Sequence, residues 1–111
     1  MAMVPAAVAT GGPVSKPWWQ VEAWNRGELR WMNQGEWFNK KTEELYWRCI
    51  NQRNRGSSLP EEYVFVYNGN TRAGSITYVL DFANMTQTNR NTEEVLRIRR
   101  VAIMVLDGHQ E

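Results

Sequence analysis

The stretch Tyr78-Val79-Leu80-Asp81-Phe82-Ala83-Asn84-Met85-Thr86-Gln87-Thr88-Asn89, with the Arg97-Ile98-Arg99-Arg100 that follows it, decides how this chain folds. Ile76, Tyr78, Leu80 and Phe82 fall two apart, as residues on one face of a β-strand do. The alternation breaks at Asn84, which predicts a turn carrying Met85 and Gln87. A second strand-like run then brings Arg97 and Arg99 back beside the first. One tyrosine hydroxyl, one amide and several guanidiniums are thereby expected together on a small curled sheet. A side-chain amide suits a base edge, and a planar guanidinium suits phosphate.

Upstream, Glu62–Tyr67 reads as another strand, with Tyr63, Phe65 and Tyr67 alternating against Val64 and Val66. The Asn-Gly pair and second glycine of residues 68–75 make the connection to the next strand a longer hairpin loop. Before it, Phe38, Thr42, Leu45 and Cys49, with Tyr46 and Ile50, keep the spacing of one helical stripe. Asn39 or Thr42 is the candidate cap, Glu44 and Arg48 are placed for an i,i+4 pair, and Gly56 to Pro60 ends the helix. Earlier still, Trp19–Trp24 and Leu29–Asn33 flank the turn signal Asn25-Arg26-Gly27-Glu28 and predict a hairpin bearing Trp24 and Trp31. Two strands, one helix and three or four further strands give an α+β fold with a mostly antiparallel sheet. Residues 1–16, rich in Ala, Gly, Pro and Val, are expected to be a flexible leader. The domain then spans 17–106 and a tail 107–111.

Composition narrows the function. The chain has 111 residues with 42% hydrophobic content, enough for one small domain. Six tryptophans and four tyrosines fill a small core efficiently and leave rings for stacking. A net charge of +1 gives no global pull toward nucleic acid, so any anion site must be local. Cys49 is the only cysteine, which excludes an internal disulfide and favours a cytoplasmic or nuclear setting. No apolar run approaches the roughly 18–20 residues of a membrane span, and the N-terminal stretch is a poor signal peptide. One terminal His109, one Cys49 on the helix's apolar stripe and no phosphate-binding glycine loop argue against an enzyme, and neither cofactor nor metal is expected.

The spacing Tyr-x-x-Asp-Phe-x-x-Met-x-Gln-x-Asn followed by Arg-x-Arg-Arg resembles the second half of the WWE domain family, best from Glu62 to Arg100. Trp24 and Trp31, seven apart across the turn, are similar to the family's hairpin aromatics, and Thr42-Glu43-Glu44-Leu45-Tyr46 to its helix. The resemblance implies a strongly curled antiparallel half-barrel sheet packed on one α-helix. It also implies a non-catalytic module for iso-ADP-ribose or terminal ADP-ribose, monomeric, within a ubiquitin ligase or ADP-ribosyltransferase. Its partners would be ADP-ribose or poly(ADP-ribose)-modified proteins. Carried over by position, Trp24 and Trp31 flank adenine or ribose, Tyr78 contacts the ligand and Gln87 bonds the adenine edge. The arginine that binders place near phosphate falls on Leu96. Arg97 beside it reaches the same face only through a one-residue bulge.

Structural roles compete for each of these residues. Trp24 and Trp31 fit a core, Tyr78 a buried strand position, and Gln87 a partner for a buried backbone group. Arg97, Arg99 and Arg100 fit a solvated strand edge, and Asp81 a backbone acceptor. The other readings are a WWE-like protein-contact scaffold without ligand, which Leu96 favours, and a single-strand nucleic-acid binder, which the low net charge disfavours.

Overall fold

The computed structural model describes residues 13–56, 62–69 and 74–106. The expectations for residues 1–12, for 57–61 and 70–73 in the two loops, and for the 107–111 tail with His109 fall outside the described residues. Strand β1 (Pro13–Asn25) turns into β2 (Glu28–Asn33), helix α1 (Glu36–Asn54) follows, and β3 (Glu62–Tyr67), β4 (Ile76–Asp81), β5 (Thr86–Asn89) and β6 (Glu94–Leu106) complete the chain. The sheet runs β2-β1-β6-β5-β4-β3, every neighbour antiparallel. It is α+β and does not close, consistent with a half-barrel around one helix.

Local chemistry explains the joints. Arg26 and Gly27 both have positive φ, 56° and 82°, the type I′ geometry that matches strand twist. Met85 (φ 55°) turns the chain between β4 and β5, where Asp81 accepts from the amides of Ala83 and Asn84 and from Asn84 Nδ2. Burial opposes ionisation of Asp81, but these bonds outweigh it and lower its pKa. Asp81 is therefore a turn acceptor, as one of its readings held.

The concave face carries the core: Trp19, Leu80, Phe82, Phe65 and Ile98 from the strands meet Leu45 and Cys49 from the helix. Trp19 is fully buried, edge-on to Tyr46 at 5.2 Å and tilted against Phe82 at 5.7 Å. Tyr63, Phe65 and Tyr67 pair with Leu80, Tyr78 and Ile76 on this face, while Val64 and Val66 are exposed behind. Arg48 pairs with Glu44 at 3.5 Å, as spacing predicts.

Four expectations change. First, β1 begins at Pro13, not Trp19, because residues 13–16 pair with β6 from Leu106 to Ile103. Second, neither Asn39 nor Thr42 caps the helix. The cap is Gly35, without a side-chain bond, and Asn39 Oδ1 instead accepts from the Trp19 amide at 2.7 Å. Third, Gln87 lies on strand β5 rather than in a turn. Fourth, Arg97, Arg99 and Arg100 lie not on an outer strand but on β6 between β1 and β5, where Arg97 pairs with β5 alone and Arg99 and Arg100 with β1 alone.

Candidate functional site

Register decides what each strand residue faces. Trp19 points into the core, so Val21 and Ala23 share its face, and their β2 partners Met32 and Arg30 do too. Trp24 and Trp31 have the opposite parity and lie on the convex face. On β6, Gln87 pairs with Leu96 and Thr86 with Arg97, in unbroken register with Thr88–Val95. No bulge shifts the strand: Leu96 is concave and Arg97 convex. Of the five residues singled out in the sequence, the fold brings Tyr78 and Gln87 together on the concave face and sets Trp31 against Arg97 on the convex one. Trp24, Trp31 and Arg97 are on the other side of the sheet, because a one-residue change of register exchanges faces.

Tyr78 and Gln87 line a pocket of about 200 Å³ at the open end of the half-barrel, with Val21, Gln34, Gly35 and Phe38. The volume suits one planar ring. Phe65 stacks on Tyr78 at 5.4 Å and 21°, and Phe38 meets it edge-on at 5.2 Å, so the ring is fixed. Burial, and then the neighbouring Tyr67 and Glu94, raise the Tyr78 pKa, so its hydroxyl stays a neutral donor and acceptor. Gln87, 7% exposed, accepts through Oε1 from Gln34 Nε2 at 2.9 Å, and Gln34 Oε1 is 3.5 Å from Thr42 Oγ1. Gln87 Nε2 has no side-chain partner among the described residues, which leaves one donor for a ligand acceptor. The structural role of Gln87 is to accept from a buried side chain, Gln34, rather than to cap a backbone group.

Trp31 is half-buried beneath two cations, with the Arg99 guanidinium 4.2 Å and that of Arg97 5.6 Å from its ring centroid. Arg97 also bonds Glu22 at 3.2 Å and Arg99 bonds Gln20 at 2.8 Å. These contacts occupy the convex arginines. Trp24, 73% exposed, is not core. It pairs with exposed Leu29, and the registers Val95–Thr88, Thr88–Val79 and Val79–Val64 extend a mostly apolar row across the back of the sheet.

Reading the sequence missed Gln34, Arg30, Glu94 and the Glu43–Arg100 pair. Strict alternation from Trp19 would have turned Ala23 and Arg30 inward; the tryptophans drew attention to the wrong parity. Glu43, inside the helical stretch quoted above, accepts from Trp19 Nε1 and Trp47 Nε1 at 2.8 Å each and holds Arg100 at 2.6 and 2.9 Å. Nothing in one sequence pairs residues 57 positions apart. A larger groove of about 540 Å³ beside α1 is lined by Pro17 and Trp18 together with Lys16, Lys40, Glu36 and Glu44. Among the described residues no cluster could hold a metal, and no helix is long and apolar enough to cross a membrane.

A curled sheet on one helix, with an aromatic, amide-floored pocket at its open end, defines a small binding module. The WWE domain family model matches residues 23–100, well over half of the chain. The chain belongs to the WWE domain family, whose modules serve protein interaction and ADP-ribose binding and are not catalytic. A comparison with curated proteins finds no match.

Proposed function

We propose that this domain is a non-catalytic reader of ADP-ribose units, taking the adenine ring into the pocket lined by Phe38, Tyr78 and Gln87 within a larger ubiquitin ligase or ADP-ribosyltransferase. The observation that carries this is the buried Gln87 amide, held by Gln34 and retaining a free donor at the pocket floor. Adenine offers ring-nitrogen acceptors to such a donor, and the surrounding aromatic walls cover its faces. Affinity is low, because the concave position opposite Gln87 is Leu96.

Gln87→Ala tests it. The variant removes the ligand bond and also leaves Gln34 Nε2 without its acceptor, at roughly 1–3 kcal/mol. Titration with ADP-ribose and iso-ADP-ribose, well below the melting midpoint, should show affinity lower by about tenfold or more. The melting temperature should fall by roughly 4–8 °C for each kcal/mol lost. An unchanged affinity with a lowered melting temperature would mean that the amide is structural only.

A second reading, protein contact without a nucleotide, is favoured by the exposed row Leu29, Trp24, Val95 and Val64 on the convex face. It predicts that Trp24→Ala weakens a partner complex while leaving nucleotide titrations unchanged.

A further inference from the structure

The concave face around the pocket is short of cations. Leu96 fills the position opposite Gln87, and Glu94, in the same row as Asn89 and Tyr78, adds a carboxylate. Following the Gln87 row outward gives another group. Leu80 pairs with Gln87, Gln87 with Leu96, and across the next strand Ala23 pairs with Arg30. Between Leu96 and Ala23 the pairing of β1 with β6 has stopped, its last register being Val21–Ile98. The strands part there around a notch of about 400 Å³ whose lining includes Ala23, Glu94 and Leu96 from the concave rows and Trp24, Leu29 and the Glu22–Arg97 ion pair from the convex ones. A ligand seated on Gln87 and extending along this row crosses the notch and meets Arg30. Three paired strand spacings of about 4.8 Å would give roughly 14 Å between Gln87 and Arg30; the parting of β1 from β6 lengthens that path along the sheet, and the curl shortens it through space.

Arg30 is available. Among the described residues its one ion pair is with Glu28, two residues away on the same strand face, at 3.2 Å, with both side chains more than half exposed. Such a surface pair is weak and exchanges readily for a phosphate, which offers the guanidinium a bidentate partner. We infer that Arg30 is the residue that meets the diphosphate of the ligand, replacing from β2 the cation that position 96 lacks. The inference rests on the adenine reading of the pocket. It makes Glu28 a competitor for the same guanidinium.

The test titrates ADP-ribose and uncharged adenosine into the wild type, Arg30→Gln, Glu28→Gln and Gln87→Ala, at low and high salt. Arg30→Gln should weaken ADP-ribose by about tenfold at low salt, less at high salt, and leave adenosine unchanged. Glu28→Gln should strengthen ADP-ribose by about two- to fivefold, a gain that no loss of folding produces. A fall under about threefold for ADP-ribose in Arg30→Gln, or an equal fall for adenosine, overturns the role of Arg30. Gln87→Ala still losing affinity in that case leaves the pocket standing. Absence of ADP-ribose binding by the wild type overturns both.

Discussion

Replacing Glu43 by alanine is expected to destabilise the domain more than any surface change, by about 2–4 kcal/mol, lowering the melting temperature by roughly 10–25 °C. The carboxylate fastens the helix to the sheet. It accepts from the indole of fully buried Trp19, from Trp47 on its own helix, and twice from Arg100 on β6. Alanine leaves the Trp19 Nε1 donor of a fully buried ring without its acceptor and removes the anchor of Arg100, which lies over the rings of Tyr46 and Trp47 at 5.3 and 5.6 Å.

The same group gives a pH dependence. Bonding to Arg100 is the largest cause of a Glu43 pKa lowered from 4.5 to about 2, helped by the two indoles and opposed by burial. The folded value lies below the unfolded one. The stabilisation is therefore complete above pH 4.5 and is lost as pH falls from there through about 2. The stability gap between the wild type and Glu43→Gln should accordingly narrow across that window in denaturant titrations. A gap that stays constant from pH 6 to 2, on the order of the full effect, would assign it to packing rather than charge.

Leu96→Arg should strengthen ADP-ribose binding by about ten- to a hundredfold. Leu96 is half-buried on the concave face and directly opposite Gln87, so an arginine there emerges beside the pocket rather than behind the sheet. A charged hydrogen bond to phosphate is worth roughly 1.5–3 kcal/mol, and the gain should shrink at high salt. The contrasting control is Arg97→Ala. Arg97 is convex and bonded to Glu22, so its loss should leave nucleotide affinity unchanged. Loss of binding in Arg97→Ala, or no gain in a folded Leu96→Arg, would contradict this assignment of faces.

These two positions show how far one sequence reaches. Alternation in Ile76–Phe82 and in Tyr63–Tyr67, the helical stripe from Phe38 to Cys49, and the Arg-Gly turn determined the elements, their order and the α+β class. Those are local properties, written by periodicities of two and 3.6 and by residues that tolerate positive φ. They placed Tyr78 on its strand but read Gln87 as part of a turn, which the structure makes strand β5. Tertiary structure decided the faces. Whether Trp24 or Ala23, and Arg97 or Leu96, looks into the half-barrel depends on inter-strand register, and a shift of one residue exchanges them all. Large aromatics suggest an inner surface, yet Trp31 lies outside beneath two arginines, and Trp24 lies in solvent. The inward set on that hairpin is Val21, Ala23, Arg30 and Met32. The Glu43–Arg100 clasp and the Gln34–Gln87 amide pair join residues 57 and 53 positions apart. Only the packing of the open sheet around the helix brings them within hydrogen-bonding distance.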